Sequence, residues 1–212
     1  MAERRDGKFI WVTWLPKLMI GEVSCIWSIW FKTRYKYEKI PSGFDQAKWK
    51  ITHNRMLHEL KSRREQAGEK VFVENQNYFR FEVRPDLVIA GKPDLITVLG
   101  DNITIYDCKT GQPKASDQIQ MMLYMYCTPL CLAICKDKKP KGILVYDNKN
   151  VEIPADTIDV KFINNFDYFI DVLNSNEPPK KVPSVTECQF CDITNADCPE
   201  RVNADIDHQI EM

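Results

Sequence analysis

Apolar positions along the chain switch between two periods. From residue 44 to residue 64 they recur at helical spacing, with Trp49, Met56, Leu57 and Leu60 on one side, which predicts a long helix. Three runs then read as strands: residues 71–82, residues 87–99 interrupted near Gly91, and residues 103–109. The link Leu99-Gly-Asp-Asn102 has the composition of a hairpin turn. Residues 115–135 return to helical spacing with Pro129 as an expected break. A short strand at 142–146 and an amphipathic helix at 157–173, rich in Phe and Ile, follow. Upstream, residues 11–20 and 23–37 predict two short helices separated at Gly21. Residues 174–185, with three prolines and two lysines, read as a linker, and the polar, acidic residues beyond Arg201 as a frayed tail. The expected organisation is one α/β domain over residues 1–212. Its core lies at 44–153, with N-terminal helices at 9–40 and a C-terminal segment at 174–201 as attachments.

A chain of 212 residues that is 44% apolar and 11% aromatic can bury a full core. Its net charge of −1 announces no nucleic-acid binder in bulk, so any DNA contact must come from local clusters. Two stand out: Lys32, Arg34, Lys36 and Lys39 interleaved with Tyr35 and Tyr37, and the loop Lys136-Asp-Lys-Lys-Pro-Lys141. Basic side chains next to stacking aromatics suit a single-strand channel, although a solvated face explains such charges as well. No apolar run approaches bilayer length, and the start carries no small-residue cleavage site, so a cytoplasmic protein is expected.

Chemistry concentrates in Ile103-Thr-Ile-Tyr-Asp-Cys-Lys-Thr-Gly111. Alternation along a strand puts Asp107 and Lys109 on one face, pairing an acid that can hold a divalent cation with an amine that can orient water. The hairpin turn would bring Asp94 beside Asp107 as a second oxygen ligand. Pro93 cannot donate to a ladder, so the strand is expected to be irregular there. Eight cysteines in a reducing compartment call for another explanation than disulfides. Cys188-x2-Cys191-x6-Cys198 has the tightness of a metal or cluster site and lacks a fourth ligand. Cys127, Cys131 and Cys135 share helical spacing among Met, Leu and Ile, and are read as core packing.

Three motifs in order, Gly91-x-x-Asp94-x-Ile96, Asp107-x-Lys109-Thr-Gly111 and Gln120-x-x-x-Tyr124, resemble those of RecB-like nucleases in the PD-(D/E)XK superfamily. The resemblance implies an αβββαβ core, a mixed central sheet flanked by helices. It implies a metal-dependent DNA nuclease in which Asp94, Asp107, His58 and the carbonyl of Cys108 hold Mn²⁺ or Mg²⁺, with Lys109 as the catalytic amine. His58 lies in Leu57-His-Glu-Leu60, which looks like the family's first motif; Asn54 stands where a glycine is frequent, and His53 is a second candidate nearby. Gln120 and Tyr124 would point over the active site toward DNA or the lysine. Cys25 with Cys188, Cys191 and Cys198 matches the iron-sulfur members of the family, implying a 4Fe-4S cluster and an iron-sulfur subdomain made from both chain ends. Four thiolates would serve zinc equally well. The nearest form resembles the CRISPR-associated nucleases of spacer acquisition or the stand-alone exonucleases sharing their domain. That form implies single-strand exonuclease action with endonuclease activity admitted, on single strands or duplex ends, in spacer acquisition or in repair and recombination. CRISPR adaptation proteins and a second copy of the chain are the partners it admits. Asp107 stands where glutamate is common, and the second cysteine gap is six residues where five is frequent. The rival reading is a catalytically silent nucleic-acid-binding or assembly subunit that keeps the nuclease fold.

Overall fold

The computed structural model describes residues 2–41 and 43–202; the expected tail beyond Arg201 lies almost wholly outside them. The N-terminal segment departs from the expected helix pair. It begins with strands β1 (Glu3–Arg4) and β2 (Lys8–Trp11), then a single 3-10 turn and the four-residue α1 (Pro16–Met19). In Lys-Phe-Ile-Trp only Ile10 is fully buried, a period-two pattern too short to register as a strand without its partner. Helix α2 (Ile26–Arg34) is shorter than expected because Tyr35 is extended, and β3 (Tyr35–Lys36) pairs with β1.

Helix α3 (Gln46–Gln66) starts at Asp45, whose carboxylate accepts the Lys48 N–H. It leads into β4 (Lys70–Val73). The expected strand at 71–82 is broken in the middle, where Glu74 takes a φ of 39° and a 3-10 turn spans Glu74–Asn77. The buried Asn77 amide fixes this turn by donating to the carbonyls of Phe72 and Pro93. The second expected strand also divides, at Lys92-Pro93, so that β5 (Phe79–Arg84) and β6 (Leu87–Gly91) form one hairpin while β7 (Leu95–Leu99) joins another sheet. Gly100, at φ 58°, then turns β7 into β8 (Asn102–Lys109), with Leu99 opposite Asn102.

Helix α4 (Ala115–Cys131) runs through Pro129 and stops two residues later. Strands β9 (Lys141–Tyr146) and β10 (Asn150–Ile153), helix α5 (Val160–Asn174) and the short α6 (Val185–Cys188) complete the order. The main sheet has the order β10-β9-β8-β7-β4, with β8 parallel to β9 and its other pairs antiparallel. The order helix, three strands, helix, strand is therefore α3, β4, β7, β8, α4, β9. The β5–β6 hairpin is an insertion, paired with β2 in a separate sheet of order β2-β6-β5.

Met56, Leu57 and Leu60 of α3 pack on Leu95, Tyr106, Cys108 and Val145. The larger core lies around α4 and takes in α1, α2, α5 and both sheets. Cys127 and Cys135 are fully buried in it, as expected of packing cysteines, and Cys131 Sγ bonds the Cys127 carbonyl. The two ends of the chain meet. The Glu187 carboxylate accepts the amides of Ser24 and Cys25 at 2.9 and 3.0 Å, Ala2 donates to Asp197, and Ile40 to Asp192.

This junction gives several of residues 32–39 internal partners, in place of either the solvated face or the single-strand channel. Lys32 pairs with Asp192 at 2.7 Å, and the Tyr37 hydroxyl donates to the same carboxylate. Arg34 is buried, lies 4.1 Å over the Trp30 ring and donates to the carbonyls of Leu173, Asn174 and Ser175 at the end of α5. Among the described residues no helix is long and apolar enough to cross a membrane.

Candidate active site and cysteine cavity

The site forms where β8 outruns its antiparallel neighbour. Pairing between β7 and β8 ends at Leu95 and Tyr106, while Asp107, Cys108 and Lys109 remain paired to β9 on the other side. The freed edge of β8 faces the turn that carries Asp94. Asp94 Oδ2 accepts the Cys108 N–H at 2.7 Å. A residue's N–H and carbonyl leave a strand on the same side, so the Cys108 carbonyl is turned to this edge as well.

Asp107 is buried, and Lys109 Nζ sits 2.6 Å from its Oδ2. The two form a close, buried ion pair. Burial, with Asp94 nearby, pushes the Asp107 carboxyl up to about 6 against the opposing pull of Lys109. Lys109 also donates to Gln120 Oε1 at 3.0 Å and lies 3.7 Å from Asp117. Burial pulls the pKa of the ammonium down, but Asp107, Asp117 and Asp94 outweigh it and the net shift is upward. Beside these carboxylates the amine is placed to orient water and balance charge.

Gln120 Nε2 donates in turn to the Tyr124 hydroxyl at 3.2 Å, the i, i+4 pair expected on α4. Tyr124 is buried, and burial raises its pKa. Gln120 and Tyr124 thus hold Lys109 from behind.

The histidine expected here was His58, and the structure corrects this. His58 is exposed, whereas His53 is buried and its Nε2 lies 3.0 Å from Asp94 Oδ2. Five residues on a helix turn the side chain by about 140°, so the two cannot share a face. His53 falls on the stripe His53, Met56, Leu57, Leu60 at i, i+3, i+4, i+7, a signal present in the sequence. The Asp94 hydrogen bond raises the His53 pKa. Trp49 stacks on the imidazole at 4.9 Å. Asp117 was also missed: it accepts from the Tyr146 hydroxyl at 2.9 Å and from the Lys114 amide, fixing the start of α4 beside Lys109.

A family model described as the PD-(D/E)XK nuclease superfamily matches residues 22–150, a span holding every residue just described. The chain belongs to the PD-(D/E)XK nuclease superfamily. Nucleases of this superfamily use divalent metals such as Mg²⁺ or Mn²⁺. The crystal structure of SSO0001 is similar, with 14% identity and a TM-score of 0.46 over 95% of this chain and 90% of that one. No curated protein matches the sequence.

In this nuclease-superfamily chain, no three His, Cys, Asp or Glu side chains among the described residues stand in metal-holding geometry. Internal partners occupy the donors: His53 and the Cys108 amide share Asp94 Oδ2, and Lys109 crowds Asp107 Oδ2. By donor chemistry alone the oxygens of Asp94 and Asp107 suit a hard divalent cation, and Lys109 and His53 now take the places such an ion would fill.

The family match stops before Cys188. Cys25, Cys188, Cys191 and Cys198 line one cavity of about 260 Å³ between α2 and the C-terminal segment. All four are free thiols. Cys25 sits at the start of α2 and is positioned by the Glu187 carboxylate on its amide. Arg201 closes the far wall by donating to the carbonyls of Cys191 and Ile193. The four thiols share the lining of one cavity, but among the described residues no three of them stand in metal-holding geometry.

Proposed function

We propose that this protein is a metal-dependent DNA nuclease acting as an exonuclease on single strands or duplex ends. The observation that carries the reading is the charge arrangement at the end of β8. Lys109 is held between Asp107 and Gln120, and Asp94 accepts the Cys108 amide on the neighbouring edge. Asp94, Asp107, the Cys108 carbonyl and His53, in place of His58, are the groups that would hold Mn²⁺ or Mg²⁺. When bound, the cation would acidify water and offset charge on the scissile phosphate. Lys109 orients the attacking water and stabilises the charge that develops on the phosphoryl oxygens. Gln120 and Tyr124 keep Lys109 from swinging away, and Trp49 holds the imidazole of His53 in plane.

The decisive assay incubates end-labelled single-stranded and duplex DNA with Mn²⁺, Mg²⁺ or EDTA. Cleavage that EDTA stops, and that Asp94→Ala and Lys109→Ala abolish while remaining folded, is the expected result. Undiminished cutting by either variant removes the assignment. Retention of DNA without cutting under all conditions supports the silent binding subunit.

For the cysteine cavity we infer a 4Fe-4S cluster that fastens the chain ends structurally. The sharing of one cavity by all four thiols supports this, with the sequence resemblance deciding against zinc. Anaerobic purification is expected to give a brown protein containing iron and sulfide, and Cys25→Ser a colourless one. Stoichiometric zinc in a colourless wild type would overturn the cluster. Work in spacer acquisition or in DNA repair is the pathway reading, and it rests on the resemblance of motifs and cysteines; copurification of CRISPR adaptation proteins is the outcome that selects the former.

A further inference from the structure

The small sheet turns one face to the core and one to solvent. Ile10, Leu87, Ile89 and Phe79 point inward and are buried. On the other face, register sets Trp11, Ala90 and Arg80 in one row across β2, β6 and β5. Alternation along β5 brings Tyr78 to the same side as Arg80. Trp11 is 37% and Tyr78 43% exposed, and their rings lie 6.3 Å apart with an edge-to-face tilt. Phe9, on the same face of β2, braces Trp11 edge-on at 5.4 Å. Large aromatic planes left in water on a β-sheet, held by other aromatics, are what a stacking surface requires.

The charges agree. Among the described residues the side chains of Arg80 and Lys92 have no ion-pair or hydrogen-bond partner, and both residues are exposed. The carboxylate on this face, Glu82, stands in the next row, opposite Val88, and accepts the Asp86 amide. The face is also close along the chain to the candidate active site: β6 ends at Gly91, and only Lys92 and Pro93 separate it from Asp94, a span of at most about 11 Å of chain.

We propose that this face, Trp11 and Tyr78 with Arg80 and Lys92, is a single-strand nucleic-acid platform that feeds the backbone to the Asp94–Asp107 site. The inference rests on the nuclease reading for what happens at the end of the path, but binding to the platform stands apart from cleavage. Trp11 and Tyr78 stack successive bases without sequence preference, and the two cations meet the phosphates between them.

The test uses the whole protein in EDTA, where nothing is cut. Fluorescence anisotropy with labelled oligothymidylate is expected to show single-strand binding tighter than that of a duplex of equal length. Trp11→Ala and Tyr78→Ala should each weaken it by about five- to 150-fold, with Trp11→Phe and Tyr78→Phe restoring most of the affinity and melting temperatures unchanged. Hydrolysis of a small chromogenic phosphodiester with Mn²⁺, too short to reach the platform, should be the same in Trp11→Ala as in wild type. Equal affinities across wild type and both alanine variants, or tighter binding of duplex, would overturn the platform whether or not the protein cuts. Wild type that binds single strands through Trp11 and Tyr78 yet never hydrolyses the small diester would leave the platform standing and sink the nuclease reading.

Discussion

Gly91→Ala separates packing from catalysis at the heart of the molecule. Gly91 does not lie at positive φ, so alanine is compatible with the backbone and the effect is steric alone. A Cβ there would come within 2.4 Å of Phe79 Cζ, 2.7 Å of Phe79 Cε1 and 3.1 Å of Tyr124 Cε1. Carbon atoms settle near 3.5 Å, so the Phe79 ring would have to retreat by about 1 Å. It has no room, being 2% exposed and inside the main core, and Tyr124 beside it is 3% exposed. Overpacking of this kind costs about 1–3 kcal/mol, which in a chain this long lowers Tm by about 2–12 °C. A displaced Tyr124 would shift Gln120 and with it Lys109, and a misplacement near 1 Å reduces kcat by up to about 10²-fold. Gly142→Ala is the control. Its Cβ would meet Met121 Cγ at 2.3 Å and Met125 Sδ at 2.8 Å, and Met121 is as buried as Phe79, so a similar loss of Tm is expected without the push on Tyr124. Thermal melts by circular dichroism should show both variants lowered in Tm, and initial cleavage rates should rank Gly91→Ala below Gly142→Ala in kcat, with KM little changed. Adding Phe79→Leu to Gly91→Ala should recover part of the loss, a coupling that distant sites would not show. A Gly91→Ala protein with wild-type Tm, or a reversed ranking of the two glycines, would refute the reasoning.

Three further outcomes are expected. Arg34→Met removes a buried guanidinium from the carbonyls ending α5 and should lower stability by about 3–5 kcal/mol in urea titrations; Arg34→Lys should not rescue it, because an ammonium lacks the planar fork. His53→Ala should slow DNA cleavage by about 10–100-fold, since His53 holds Asp94, while His58→Ala leaves the rate unchanged. In EDTA the protonated His53–Asp94 pair, whose histidine pKa is raised in the fold, stabilises the protein fully below about pH 6.5 and loses its contribution as pH rises through the raised value. Melting temperatures measured across that range should show this fall in wild type, and His53→Ala should remove it.

The active-site strands were legible because alternation and a turn determine them together. Asp107 and Lys109 share a face by period, and Gly100-Asp101 closes the hairpin that carries Asp94 to them. Gln120 and Tyr124 were legible by their spacing on α4. Between the two candidate histidines the motif favoured His58 and the helix phase favours His53: the apolar stripe of α3 includes His53 and excludes His58. The break at Glu74 was signalled by the polar run Glu-Asn-Gln-Asn, which carries no strand propensity. The second sheet was hidden for another reason. Strand β2 is four residues long, and its partner, β6, lies far along the chain, where local pattern says nothing about pairing. The stacking face on that sheet was hidden with it, and the basic cluster at residues 32–39 drew attention because its structural partners, Asp192 and the end of α5, are equally remote.

The bond between Glu187 and the Cys25 amide spans 162 residues of sequence. At about 5–20 residues per second of synthesis, the N-terminal segment waits about 8–30 s on the ribosome before its anchor is made. Until then the Cys25 amide lacks its acceptor, while α2 already has the end of α5 to pack on, because Trp30 and Arg34 donate to carbonyls at residues 173–175. Messages truncated shortly before residue 187 would therefore yield a polypeptide with β2 and α2 docked and the cysteine cavity open on one side.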